Sequence, residues 1–159
     1  MNYFISTGEL SGDLHASYIV EKIKNLDKNA KVYAIGGMNL KKQDVEIVRD
    51  IDSLAIMGFV EVVKNFNFLK KVLEETVEFI LSNNIDRVVL VDYGGFNLKL
   101  LERLKLKKPS LKITYYIPPK VWIWGKKRVP KIAKADEILV IFPWEVVFYK
   151  KETPDDPKE

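Results

Sequence analysis

The residues of this chain best suited to chemistry fall in four short segments. Gly8-Glu9-Leu10-Ser11-Gly12-Asp13 combines glycines, which permit close backbone approach, with acidic and hydroxyl side chains at the start of a predicted helix. A helix N-terminus offers free amide hydrogens to an anion or a sugar oxygen. The spacing is neither a Walker loop, which needs Gly-Lys-Ser/Thr, nor the Gly-x-Gly-x-x-Gly dinucleotide fingerprint. A ligand loop and a plain turn capped by Ser11 or Asp13 fit it equally well. In Val91-Asp92-Tyr93-Gly94-Gly95-Phe96-Asn97, Asp92 leaves an apolar strand where a general base could take a proton from an attacking sugar hydroxyl. Bracing the loop or capping the next helix is the commoner use of such an aspartate.

The third segment runs from Tyr116 to Arg128 and places Trp122 and Trp124 after Pro118-Pro119 and before Lys126, Lys127 and Arg128. Such a loop can stack on sugars or cover acyl chains while its cations meet phosphates. It can equally plug the core beside a solvated basic face, and aromatics with cations also suit single-stranded nucleic acid. The fourth, Met57 to Leu73, carries more apolar residues than one buried stripe needs, with Lys64, Lys70 and Lys71 interleaved. That is how a helix rests in a bilayer interface, although an ordinary core-facing helix has a similar composition. The single histidine, His15, sits near the start of the first predicted helix, where packing or surface exposure is the ordinary role.

Strands and helices alternate to position these segments. Predicted strands cover residues 3–6, 31–35, 45–48, 87–92, 112–117 and 137–141. Predicted helices cover 13–26, 59–82 with a break near 65–67, 98–106 and 126–134, and a last one starts near Pro143. Arg87-Val88-Val89-Leu90-Val91-Asp92 is almost wholly β-branched or apolar, as a strand covered on both faces must be. The alternation predicts an α/β fold with a doubly wound, mainly parallel sheet, in which ligands collect at the carboxyl ends of the strands. Residues 1–150 form the predicted domain; 151–159, charged and with two prolines, form a frayed tail.

The bulk numbers narrow the options. A chain of 159 residues with 47% hydrophobic and 30% charged residues describes one folded domain, not a disordered chain. Charges or turn residues interrupt every apolar run before it reaches the length of a membrane span, and Met1 to Ser6 reads as a strand, not a signal peptide. The absence of cysteine excludes disulfides and thiolate metal sites, and one histidine excludes a multi-histidine metal centre. A net charge of +4 favours an anionic surface or a phosphorylated substrate.

Taken in order, Thr7 to Asp13, Gly36-Gly37-Met38, Leu54 to Val62, Asp92 with Phe96-Asn97, Pro119 to Trp124 with Arg128-Val129, and Pro143-Trp144-Glu145 with Phe148-Tyr149 resemble the lipid A disaccharide synthase family. The resemblance covers residues 1 to about 150. It implies the Rossmann-like, acceptor-side N-terminal domain of a two-domain, B-fold glycosyltransferase that inverts configuration and uses no metal or other cofactor. The implied reaction moves diacylglucosamine from its UDP-linked form to diacylglucosamine 1-phosphate, giving lipid A disaccharide 1-phosphate and UDP.

By carry-over, Asp92 matches the family's proposed catalytic base. Gly8, Glu9, Ser11, Gly12, Met57, Asn97, Trp122, Trp124 and Arg128 are expected to bind substrate. Phe59, Val60, Val62, Val63, Phe66 and Leu69 are expected to meet the membrane or acyl chains. Two positions depart from the family pattern: Pro118 replaces a Ser or Cys, and Gly95 replaces an Asp next to the Phe-Asn pair. The nucleotide-binding C-terminal half is expected to be absent, leaving this chain inactive alone. Its expected partners are the two lipid substrates, an anionic membrane surface, and a C-terminal half or longer homologue, with no nucleic acid. The expected location is peripheral, on the inner face of the bacterial inner membrane; the alternative is a non-catalytic lipid- or membrane-binding module.

Overall fold

The computed structural model describes residues 1–54, 67–121 and 125–152. Its elements are β1 (Asn2–Ser6), α1 (Leu10–Leu26), β2 (Lys31–Gly36), α2 (Met38–Lys41), β3 (Glu46–Asp50), α3 (Asn67–Ser82), β4 (Arg87–Val91), α4 (Gly94–Lys107), β5 (Lys112–Tyr116), α5 (Val129–Ile132), β6 (Glu137–Leu139) and α6 (Pro143–Glu152). A 3-10 turn, Lys126–Arg128, leads into α5. The six strands form one sheet in the order β3-β2-β1-β4-β5-β6, every neighbouring pair parallel. This is the doubly wound α/β arrangement, with β3 and β6 at its edges.

Alternation along each strand divides the core between the two faces. Phe4, Val88 and Leu90 point into a cluster with Val72, Val77 and Ile80 of α3 and Leu100, Leu101 and Leu104 of α4. Their sequence neighbours Ile5, Val89 and Val91 point the other way, against Ala16 and Val20 of α1 and Leu40 of α2. Helix α3 buries Val72, Leu73, Thr76, Val77 and Ile80, one stripe at helical spacing, and turns Lys70, Lys71, Glu75 and Glu78 outward.

Several boundaries differ from the sequence expectations. Helix α1 starts at Leu10, three residues early, because Glu9 is the N-cap and neither Ser11 nor Asp13 caps this helix. Helix α4 starts at Gly94 instead of Leu98, so the glycine pair forms its first turn. Strand β6 ends at Leu139, short of Ile141. Lys151 and Glu152 belong to α6, where Glu152 pairs with Lys126 at 3.1 Å. The part of the expected long helix before Asn67 lies outside the described residues.

Candidate functional site

Strands β1 and β4 are neighbours, yet the chain leaves them in opposite directions, toward β2 and toward β5. The crevice at their carboxyl ends is the topological switch point, where doubly wound sheets take ligands. Its walls are Thr7-Gly8-Glu9 after β1 and Asp92-Tyr93 after β4, two of the four predicted segments. They touch directly, since a Cβ on Gly8 would collide with the Tyr93 ring. Glycine at position 8 is therefore required by close approach, not by an unusual φ. Gly12, in the first turn of α1, likewise leaves room for the Thr7 side chain.

Asp92 and Tyr93 both have φ of 49°, in the left-handed region, although neither is glycine. Asp92 donates its N–H to the Tyr116 carbonyl at 3.1 Å. Its own carbonyl accepts Asn97 Nδ2 at 2.9 Å and the Tyr115 hydroxyl at 3.1 Å. Its carboxylate is half-buried and has no hydrogen-bond or ion-pair partner among the described residues.

Asn97, expected to bind substrate, lies inside the fold. It is fully buried, accepts the Ser6 hydroxyl at 2.7 Å, and directs its amide nitrogen at the carbonyls of Ser6, Val91 and Asp92. A side chain so enclosed ties β1 to β4. Gly12 is buried too, so its contribution is packing space beside Thr7. Asp13 is another buried tie: its carboxylate accepts the Gly37 N–H at 2.6 Å and the Asn39 N–H at 2.8 Å, capping α2 from α1. Glu9 and Ser11 are exposed at the crevice mouth. Thr7 Oγ1 is buried with no hydrogen-bond partner among the described residues.

The third segment approaches the same crevice. A Cβ on Gly94 would strike Pro119, which lies over the start of α4. Burial first, and then the charge of Asp92, pushes the Tyr115 hydroxyl far above its ordinary pKa, while Arg128 opposes the shift. Arg128 and Asp92 are thus both within electrostatic reach of one buried hydroxyl. Burial, reinforced by Glu9, also raises Tyr93. The structure gathers Gly8, Glu9, Ser11, Asp92 and Arg128 around the carboxyl edge of the central strands, and His15 meets Tyr116 edge-on at a ring separation of 6.0 Å. Pro118 is buried, whereas Gly95 is exposed and a Cβ there meets no atom of the described residues within 4 Å.

Met57, Phe59, Val60, Val62, Val63, Phe66, Trp122 and Trp124 lie outside the described residues. Leu69 is described and is 39% exposed on α3, beside exposed Lys70 and Lys71. Sequence reasoning missed Ser6, Tyr93 and Tyr115. The Ser6–Asn97 pair spans 91 positions, so only the strand pairing could reveal it.

The strand order and the flanking helices define a Rossmann-like α/β domain. The lipid-A-disaccharide synthetase family profile matches residues 3–155. The chain is 38% identical over 148 residues to the lipid-A-disaccharide synthase of Geobacter metallireducens, covering 92% of this chain and 38% of that protein. The corresponding Persephonella marina protein is 38% identical over 147 residues, covering 92% of this chain and 37% of the relative. For that of Coxiella burnetii the identity is 33% over 146 residues, covering 91% and 38%. The chain belongs to the lipid-A-disaccharide synthetase family, and it spans less than two-fifths of the length of these relatives.

Proposed function

We propose that residues 1–150 are the acceptor-side domain of a metal-independent, inverting hexosyltransferase of lipid A biosynthesis. In this reading a hydroxyl of diacylglucosamine 1-phosphate attacks the anomeric carbon of UDP-diacylglucosamine. The new C–O bond forms as the bond to UDP breaks, UDP leaves with the electron pair, and Asp92 takes the hydroxyl proton. Glu9 and Ser11 contact the acceptor at the crevice mouth, Gly8 permits its approach, and Arg128 meets its phosphate, with Met57, Trp122 and Trp124 completing the binding set. Phe59, Val60, Val62, Val63, Phe66 and Leu69 rest on the acyl chains or an anionic bilayer, so the protein works peripherally at the inner face of the bacterial inner membrane. A second half, outside these residues, holds the nucleotide, and turnover requires it.

The observation that carries this reading is Asp92: a carboxylate at the switch point, on a backbone held by α4 and β5 and itself left without a partner among the described residues. The test is disaccharide formation from the two lipid substrates by the purified chain, with and without the C-terminal portion of the Geobacter metallireducens relative. Activity is expected only with the added portion. Asp92→Asn should then lower turnover by roughly 10²–10⁴-fold while lipid binding survives, the range expected for loss of a general base. Unchanged turnover would remove Asp92 from the mechanism. A non-catalytic lipid-binding role draws support from exposed Leu69 beside Lys70 and Lys71, and it predicts vesicle binding with no turnover in either mixture.

A further inference from the structure

Asp92 tolerates the left-handed region as aspartates do, but Tyr93, the next residue, does not favour it. The flexible glycines come one position too late, at 94 and 95. Something outside the loop must hold the pair. We infer that Ser6, Asn97 and Tyr115 are positioning residues that lock the Asp92 peptide in its left-handed form and so aim the carboxylate into the crevice, an inference that rests on reading Asp92 as the base.

The network has a direction. The Ser6 hydroxyl donates to Asn97 Oδ1 at 2.7 Å, which fixes the amide orientation and turns Nδ2 toward three carbonyls. The Asp92 carbonyl receives Asn97 and Tyr115, while the Asp92 N–H is taken by Tyr116. Both backbone groups of Asp92 are therefore occupied, by α4 and by β5, and Ser6 anchors the brace in β1. None of these bonds involves the carboxylate. The donors hold the backbone and leave the reactive group free, as a positioning device requires, whereas loop bracing by the aspartate itself would occupy its side chain. Tyr115 keeps its proton, since burial first and then the Asp92 charge raise its pKa, so it remains a donor throughout the working range.

The test uses the full chain by NMR. A left-handed residue brings its own amide and Hα protons together and gives a strong intraresidue NOE. Asp92 and Tyr93 should show it, as should Asp44 and Asn84, whose φ values of 53° and 51° make them internal references at the opposite edge. In the double variant Ser6→Ala with Tyr115→Phe, the NOEs of Asp92 and Tyr93 should fall at least about twofold, and the chemical shift of the Asp92 carboxyl carbon should move. Asp44 and Asn84 should stay unchanged, a contrast that general destabilisation does not produce. Wild-type NOEs at Asp92 and Tyr93 with an unmoved carboxyl-carbon shift overturn the inference. If the double variant does not fold, Tyr115→Phe alone, which keeps the buried ring, is judged by the same two readings. Turnover of Asp92→Asn tests the base separately, so either idea can fail without the other.

Discussion

Replacing Asp13 separates a structural role from a ligand role within the Gly8–Asp13 segment. The side chain is fully buried, and its two oxygens accept the Gly37 and Asn39 amides at 2.6 and 2.8 Å. Hydrogen bonds to a charged group contribute about 1.5–3 kcal/mol each, and removing the acceptor leaves both amides without a partner. The space vacated by a carboxylate beside the crevice can admit water, so the lower end applies, and Asp13→Ala should cost roughly 3 kcal/mol. With a urea slope of about 2 kcal/mol per molar, the midpoint falls by about 1.5 M. Asp13→Asn keeps one acceptor but turns an amide group toward the other N–H, so it should cost at least half as much. The Gly37 and Asn39 amide resonances should move upfield in both variants, because α2 loses its cap, while those of Asp92 and Tyr93 stay in place. An Asp13→Ala loss below about 0.5 kcal/mol would refute the reasoning, since a buried carboxylate holding two amides cannot be removed so cheaply.

Three further outcomes follow from local geometry. Gly95→Asp should raise stability by about 1 kcal/mol in urea denaturation, because the site is open, φ is not left-handed, and an acid suits the first turn of α4; a loss instead would mean the space is not there. Gly8→Ala should cost about 1–3 kcal/mol by pushing on the Tyr93 ring, and a double-mutant cycle with Tyr93→Ala should recover much of it; additive losses would show that the two residues do not touch. For Asp136, burial works to raise the pKa, but bonds from Lys105, the Ile113 N–H and Lys112 outweigh it and leave the carboxyl below its ordinary value. A depressed carboxyl stabilises the fold above its unfolded pKa and loses that contribution as pH falls through the folded one. Urea midpoints should therefore drop below about pH 4, less steeply in Asp136→Asn; equal slopes would show that Asp136 adds nothing to the acid limb.

The sheet was legible because its strands are β-branched runs with glycine, proline or charge at their ends, and Arg87 to Val91 needed no tertiary context. The helix starts were not. Both α1 and α4 begin without a side-chain cap, at Glu9 and Tyr93, so the usual serine or aspartate signal points to the wrong residue. That shift also moves Asn97, from the position before a helix starting at Leu98 to the first turn of one starting at Gly94, where it faces inward, between β1 and β4. Asp13 was weighed as a cap and is one, but for α2, reached across 24 positions at Gly37. Sequence spacing shows which side chains are available, while the strand order decides which of them meet.

The two edges of the sheet differ in their local chemistry. At the amino edge, Arg87–Glu137, Lys105–Asp136 and Lys112–Asp136 pair charges at 3.0, 2.6 and 3.3 Å, and the left-handed residues are Asp44 and Asn84, types that accept that conformation. At the carboxyl edge, Tyr93 and the β-branched Ile117 are left-handed, the Thr7 hydroxyl is buried without a partner among the described residues, and α1 starts without a side-chain cap. Such departures persist only where the surroundings over-determine them, and they gather where a fold meets its ligand. Stability alone would favour glycine at 93 and a serine or aspartate at 9. The sequence instead has tyrosine and glutamate, and the Glu9 charge raises the Tyr93 hydroxyl after burial has done so. Residues that depart from local preference, gathered on one edge, support the proposal that this edge takes the ligand.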